Sequence, residues 1–481
     1  MWPWSWPRRA AQARQRRPDP EGIVDRVQVT IIGGGSYQWT PKLMTDVLAT
    51  PSLRGCHLVF MDIDPAPLPK MAALVARANE ALGARATVET TTDRRRALEG
   101  ADFVVVTIST GGFASMAVDL DVPARYGIRQ SVGDSVGPGG INRSLRNIPK
   151  MIEIARDMEE VCPDAWLLNI TNPMACLTRA VARETSIKTV GLCHGIENYC
   201  LDLAIAFGVP LESVRPTMTG VNHFPVMTGL DIDGGDGLEM LAEMLDDLGG
   251  VGQIGPGAGR PDPEPFSKAG FARRHVLSLT LFDRTGGLPA GGDRHLAEFL
   301  PSILTESSGW GEAWGIELTP ISRRQEHQDA YVRDVDTILD GTAELSTNPS
   351  GELVAQVIDS LITGQHREIP LNLPNSGQSP DLPLDSVVET ICVVDDQGMR
   401  GRDAACAPAP LAELLRRHAA VQELTVEAAV SADSGLFRAV LALDPLAGRM
   451  DWAKIDCMAD ELLAGTAPWL PQFASLTTSD L

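Results

Sequence analysis

The sequence predicts an α/β fold: a doubly wound parallel sheet over residues 25–215, then a mixed α/β domain over residues 216–481. Three observations carry this reading. The run "VQVTIIGGG" is a short buried-strand pattern that ends in Gly33, Gly34 and Gly35. Apolar runs too short for helices then alternate with helical stretches. Beyond residue 215 that alternation stops, and glycine- and proline-rich loops separate isolated apolar helices.

Taken in order, "PKLMTDVLAT" has helical spacing, and "GCHLVFMDID" is a second strand ending in acids. "MAALVARANEALG" is a helix closed by Gly83, glycine being the residue that most easily ends one. "ATVETTT", "RRALEGA" and "DFVVVTIST" read as strand, short helix and strand. "RSLRNIPKMIEIARDMEEVCP" is a long helix, and "AWLLNIT", "ACLTRAVARET" and "TVGLCH" continue as strand, helix and strand. In the second half, "GELVAQVIDSLITG" is an apolar helix, while "GLDIDGGDGLEM", "GGVGQIGPGAGRPDPEP" and "LFDRTGGLPAGGDRH" read as loops.

A chain of 481 residues exceeds one simple core, which is why two domains are expected. A net charge of −22 argues against a nucleic-acid or anionic-membrane partner. No apolar run approaches the roughly 20 residues of a membrane span. The 8 cysteines are scattered with no CxxC pair, against a disulfide framework or a four-cysteine zinc site. Residues 1–24 are rich in Trp, Pro and Arg and lack a continuous apolar stretch. They read as a disordered tail rather than a secretory signal, and the protein is expected in the cytoplasm.

A strand, a glycine turn and a helix make a phosphate-binding arrangement of the Rossmann type. Gly33 and Gly35 let backbone approach a pyrophosphate, the helix N-terminus supplies amides, and Ser36 adds a hydroxyl. Asp62 ends the second strand and suits the adenosine ribose, favouring NAD over NADP, whose extra phosphate it repels. Gln38 stands where a third glycine is usual, so a plain glycine turn is the alternative for this motif alone. "TISTGG" ends the fourth strand and puts Thr107 and Ser109 where the nicotinamide half would lie.

Ligands of such sheets bind outside the carboxyl ends of the strands. Three more segments reach that edge: "GDSVGPGGINRSLRNIP" with Asp134, Arg143 and Arg146; "NITNPM" with Asn172; and "GLCHGIENYC" with Cys193 and His194. "GVNHF" adds His223. Singly, a buried cysteine is more often core and a histidine a satisfied imidazole. Together with the flanking motifs, a thiolate and an imidazole read as ligands of a borderline divalent ion.

This ordered series, from "VTIIGGGS" through "GLCHG" and "GVNHF" to "PNSGQSPDLP", resembles glycoside hydrolase family 4 over almost the whole chain. Those are NAD- and manganese-dependent glycosidases on a lactate/malate-dehydrogenase-like fold, outside the two-carboxylate rule of most glycosidases. The resemblance implies NAD and Mn2+ (or another divalent metal) as cofactors. It also implies a small sugar substrate, no nucleic-acid or membrane partner, and a homodimer or homotetramer. It puts Cys193 and His223 at metal-ligand positions and Asn172 at that of the sugar-binding asparagine, with Asp134 beside the substrate. His194 falls where the family has a polar catalytic or substrate residue. The implied reaction oxidises C3 of the sugar, removes the C2 proton, eliminates the C1 group, adds water and returns the hydride.

Several family members use a tyrosine base after the metal ligands, but Tyr37, Tyr126, Tyr199 and Tyr331 all lie elsewhere. The matching segment here is "PAGGDRHLAEFLP", whose Asp293 resembles the aspartate of the α-glucosidase branch. Asp293 reads equally as the N-cap of the helix it precedes. Phosphosugar members carry arginines after the fourth strand, and "GGFASMAVDLD" has none. The tetrad "CHGI" looks like the branch acting on α-linked uronides, galacturonides before glucuronides. A uronate carboxylate needs a cation, best a bidentate arginine, with Arg294 the first candidate and Arg129 the second. A neutral α-glucosidase or α-galactosidase would share every motif. An NAD-dependent 2-hydroxy-acid dehydrogenase would share the fold without needing the Cys193/His223 pair, and an NAD-binding sensor would need none of the set.

Overall fold

Strands β1 (Gln28–Ile32), β2 (His57–Met61), β3 (Thr87–Thr91), β4 (Phe103–Val106), β5 (Trp166–Asn169) and β6 (Lys188–Gly191) are parallel, in spatial order β3-β2-β1-β4-β5-β6. The order reverses at β1, which opens a crevice beyond the carboxyl ends of β1 and β4. The computed structural model describes residues 27–256 and 263–476, and the tail expected over residues 1–24 lies outside them. Every residue of β4 is buried, as its unbroken apolar run requires, because helices cover both faces of the sheet. Helices Gly137–Val161 and Met174–Glu184 pack with Ala409–Ser431, Ser434–Leu443 and Trp452–Thr466 on one face. Helices Thr40–Ala49, Leu68–Leu82 and Val354–Thr363 pack on the other. Among the described residues no helix is long and apolar enough to cross a membrane.

The second half builds an antiparallel sheet from β7 (Val214–Val221), β8 (Phe224–Ile232), β9 (Gly235–Asp236) and β10 (Leu288–Pro289). The segment "GLDIDGGDGLEM", expected as loop, is the β8–β9 hairpin running into helix Gly237–Asp247. Asp236 starts that helix, its carboxylate accepting from the amides of Leu238 and Glu239. The chain then returns to the first sheet. Strands β11 (Arg367–Pro374), β12 (Val387–Asp395) and β13 (Gly398–Gly401) extend it beyond β6, with β11 antiparallel to β6 at Asn372 and Gly191. The sheet therefore crosses the division expected near residue 215. The sequence "REIPLNLP" hides β11 because proline cannot donate to a ladder. The strand tolerates Pro370 because β6 meets it only at Asn372, which leaves Pro370 with β12 as its single neighbour.

One buried ion pair locks the long helix behind the crevice. Arg146 Nη1 donates to Asp119 Oδ1 at 2.9 Å, Nη2 donates to Oδ2, and Nε donates to Thr110 O at 2.9 Å. Both side chains are 0% exposed. Removing one partner strands the other charge, at a cost of about 3–5 kcal/mol. Arg146→Met is therefore expected to lower the unfolding free energy by about that amount in denaturant titrations. A change below about 1 kcal/mol would show the pair to be dispensable.

Candidate active site

The glycine turn forms because nothing larger fits. Gly33 holds φ +91, and a Cβ there would lie 2.1 Å from Thr107 O. The amides of Gly33 and Gly34 donate to Met61 O at 2.9 and 2.8 Å, pinning the turn to the end of β2. Gly35 N donates to Asp62 Oδ2 at 2.9 Å, so the acid expected at the ribose stands against the turn. Ser36 Oγ accepts from Trp39 N at 3.1 Å just before helix Thr40–Ala49 begins. Thr107 N donates to Ile32 O, and Ser109 O accepts from Gly112 N at 3.0 Å. The cradle expected for a dinucleotide is thus assembled at the sheet edge.

Beside it, Asp134, His223 and His295 bring their ligand atoms within 4.8 Å of one another. His223 occupies the tight turn between β7 and β8 at φ +67, a conformation costly for a side-chain-bearing residue. Glu389 Oε2 steadies the turn by accepting from His223 N at 3.2 Å. Gly291 lets the following loop close on it: a Cβ at Gly291 would sit 1.9 Å from His223 O. That contact brings the His295 ring to 3.7 Å from the His223 ring. Ser135 Oγ donates to Asp134 Oδ1 at 2.8 Å and lies 2.9 Å from His223 Nδ1. A hydroxyl has one proton, so Oγ accepts from Nδ1–H and His223 Nε2 keeps its lone pair.

The charges suit a cation. Burial pushes the Asp134 carboxyl up, but nearby positive charge outweighs it and lowers it to about 2, from His295 and His223 only while they are protonated and from Arg143 throughout. Burial pulls both imidazoles down, His223 further because His295 adjoins it, so both stay neutral. Burial, helped by Glu389, pushes the Cys193 thiol well above its usual range. Cys193 is not one of the three clustered groups, and the buried Asn222 amide, next to His223 in the chain, has no hydrogen-bond partner among the described residues. Asn172 Nδ2 donates to Asp134 Oδ2 at 3.4 Å, and Arg143 Nε donates to Asn172 O at 2.9 Å. Asn172 Oδ1, Arg143 Nη1 and His295 Nδ1 are buried without a partner among the described residues. Such unmet groups mark a place for a ligand.

Comparison with known proteins gives the chain its family. A model of family 4 glycosyl hydrolases matches residues 28–205, and a model of the C-terminal domain of family 4 glycosyl hydrolases matches residues 218–447. The chain belongs to glycosyl hydrolase family 4. It is 30% identical to an α-galactosidase of Bacillus subtilis (93% of this chain, 99% of that one) and 31% identical to an α-galacturonidase of the same organism (88% and 94%). Among solved structures, lplD from Bacillus subtilis superposes with TM-score 0.81 at 29% identity, over 91% of this chain and 100% of that one. A Thermotoga maritima 6-phospho-β-glucosidase, solved with manganese, NAD+ and glucose-6-phosphate, superposes with TM-score 0.74 at 21% identity, over 92% and 99%.

In this family 4 glycosyl hydrolase two expectations need correction. Asp293 is not poised as a base. Its Oδ2 accepts from Leu277 N at 2.7 Å and its Oδ1 from Ser278 N at 3.0 Å, so both oxygens cap a neighbouring helix, Val276–Thr285. Arg129 is exposed, its guanidinium 5.0 Å from the Trp310 ring, and it makes no contact with the cluster. Arg294 stays near the cluster, donating to Ser131 O at 3.4 Å and to Thr319 Oγ1, and so remains a candidate beside Arg324. His194 stands at the start of helix Gly195–Phe207, bonded to Glu352. The sequence reading missed His295, two residues past the aspartate it favoured. The signal was the His in "GDRH". It also missed Arg324, in helix Ile321–Asp340. Arg324 Nη2 donates to Val132 O at 2.5 Å, two residues before Asp134.

Proposed function

We propose that the enzyme hydrolyses α-linked uronides, α-galacturonides first, using NAD+ and a divalent cation such as Mn2+. The supporting observation is local charge. Arg294 and Arg324 donate to the carbonyls of Ser131 and Val132, and the Arg143 charge faces Asp134, in a chain whose net charge is −22. The acids there are Asp134 and Glu298, and burial pushes the Glu298 carboxyl up to about 7. This edge is therefore cationic, as an anionic sugar requires. The α-galactosidase relative makes a neutral galactoside the alternative reading.

The residues fit both cofactors. The glycine cradle with Asp62 accepts a dinucleotide, while Asp134 and His223 offer oxygen and nitrogen donors from the cluster and Cys193, outside it, is the sulfur donor that the family resemblance adds for a borderline cation. When bound, NAD+ supplies a reversible hydride acceptor for C3, and the cation polarises the neighbouring sugar oxygens. Asn172 and Arg143 orient the sugar from the floor of the site. His295, neutral and with Nδ1 unpartnered, takes the C2 proton in place of Asp293. His194 gives a proton to the departing C1 oxygen. Arg324 holds the C6 carboxylate.

A panel of p-nitrophenyl α-galacturonide, α-glucuronide, α-galactoside and α-glucoside, run with NAD+, Mn2+ and a reductant, tests this. The galacturonide is expected to react best, with NAD+ required yet no NADH accumulating. Stoichiometric NADH would point to a dehydrogenase instead. Arg324→Met is expected to lower kcat/KM on the uronide about 10- to 100-fold and to spare the neutral glycoside. A wild-type preference for the galactoside would replace the uronide reading by the neutral one.

A further inference from the structure

We infer that Glu352 is the positioning residue of His194, a role resting on the proposal that His194 protonates the leaving oxygen. Glu352 lies in "NPSGE", far along the chain from His194, yet its Oε1 is 2.9 Å from His194 Nδ1. The two side chains are unequally sheltered, 6% exposed for Glu352 and 41% for His194. A buried carboxylate thus holds Nδ1 of a partly exposed ring. A carboxylate only accepts, so Nδ1 carries the hydrogen of that bond.

The grip is itself braced. Glu352 N donates to Ser350 Oγ at 3.2 Å. Ser350 N donates to Asp46 Oδ1 at 2.9 Å and Ser350 Oγ donates to Asp46 Oδ2. Asp46 belongs to helix Thr40–Ala49, which opens on the glycine turn. The Trp39 ring, at the head of that helix, lies 6.5 Å from the His194 ring. The carboxylate is therefore fixed to the same helix that would hold the dinucleotide, which sets His194 relative to the cofactor rather than to a loop.

With Nδ1–H held by Glu352, Nε2 delivers its proton to the glycosidic oxygen as the C1–O bond breaks and its electron pair leaves with that oxygen. The neutral imidazole that remains takes a proton from the water that adds at C1, restoring the starting form. Glu352 acts on the reaction by holding His194, and the double-mutant cycle separates that from its weaker charge effect on neighbouring Cys193.

A double-mutant cycle tests this on the holoenzyme, using aryl and alkyl glycosides of the preferred sugar. Glu352→Gln is expected to lower kcat roughly 10- to 100-fold, the range for partners that orient a site imidazole, with KM and NAD+ affinity little changed. The loss is expected to be larger on the alkyl glycoside, whose leaving group needs the proton more. In the His194→Asn background, Glu352→Gln is expected to cost nothing further. Glu352→Asp, which keeps the charge but retracts it, is expected to fall between wild type and Gln and covers the case in which Gln misfolds. If His194→Asn is itself fully active, the reading of His194 fails. If His194→Asn is impaired while Glu352→Gln is silent, or costs its full amount on top of it, Glu352 is not its positioning residue.

Discussion

Replacing His223 by alanine is expected to lower kcat/KM by about 10²–10⁴-fold, the several kcal/mol a bound cation contributes by polarising substrate oxygens. His223 is the buried member of the Asp134–His223–His295 group, and its strained turn has no other evident purpose. Cys193→Ser is expected to lose activity likewise, and metal uptake separates the two. Asp134 is already ionised and both histidines are already neutral, so none of them has a proton to lose at neutral pH. The Cys193 thiol is protonated, because burial disfavours the thiolate until a cation arrives. Wild-type protein should then release about one proton per Mn2+ bound, and Cys193→Ser none. Bound Mn2+ per subunit, a pH-indicator titration and far-UV circular dichroism measure this. Full metal occupancy with full activity in either variant would sink the assignment.

Gly291→Ala is expected to cost nearly as much, although Gly291 carries no functional group. Its Cβ would lie 1.9 Å from the His223 carbonyl oxygen, where backbone meets backbone and no side chain can swing aside. The loop or the His223 turn must shift, and a displacement on the order of 1 Å in a reacting site costs about 10²-fold. Gly292→Ala is the control. Gly292, unlike Gly291, holds a positive φ, +81, but its Cβ would meet nothing within 4 Å. Only the backbone conformation opposes it, φ +81 with ψ 134 costing a side-chain-bearing residue on the order of 1–3 kcal/mol of stability without displacing the His223 carbonyl. NAD+ affinity should be unchanged in both variants, since the glycine cradle is elsewhere. Equal activities for the two alanine variants would show that close contact at Gly291 is not what places His223.

The nucleotide half of the site was legible because its signals are local. The glycine turn, Asp62 and the "TISTGG" end each follow directly from a strand, and strand ends share an edge in a parallel sheet. The sugar half was only half legible. Asp134, Asn172, Cys193 and His223 sit on recognisable motifs, but the choice between Asp293 and His295 turns on the orientation of a four-residue helix. Only the amides of Leu277 and Ser278, which claim Asp293, decide it. Arg324 and Glu352 were invisible for a related reason. Each reaches the site from a helix or helix entry more than a hundred residues from its partner, Val132 or His194, and no periodicity records such a meeting. Of the late strands of the first sheet, β11 was hidden by its prolines.

The antiparallel seam between β6 and β11 has a consequence for how the enzyme is made. Roughly 180 residues separate Gly191 from Asn372, so at about 5–20 residues per second a ribosome leaves the β6 edge bare for about 10–40 s. An unpaired strand edge invites pairing with another chain, and the nascent N-terminal half carries this hazard until β11 emerges. The glycine cradle lies on the opposite flank, among β1, β2 and β4, and is complete once the early strands have paired. A dinucleotide captured there during synthesis would stabilise the half-built sheet by mass action while it waits for its remaining strands. Yield of soluble enzyme should accordingly track cofactor supply in a cell-free translation, and a chain stopped after residue 215 should aggregate.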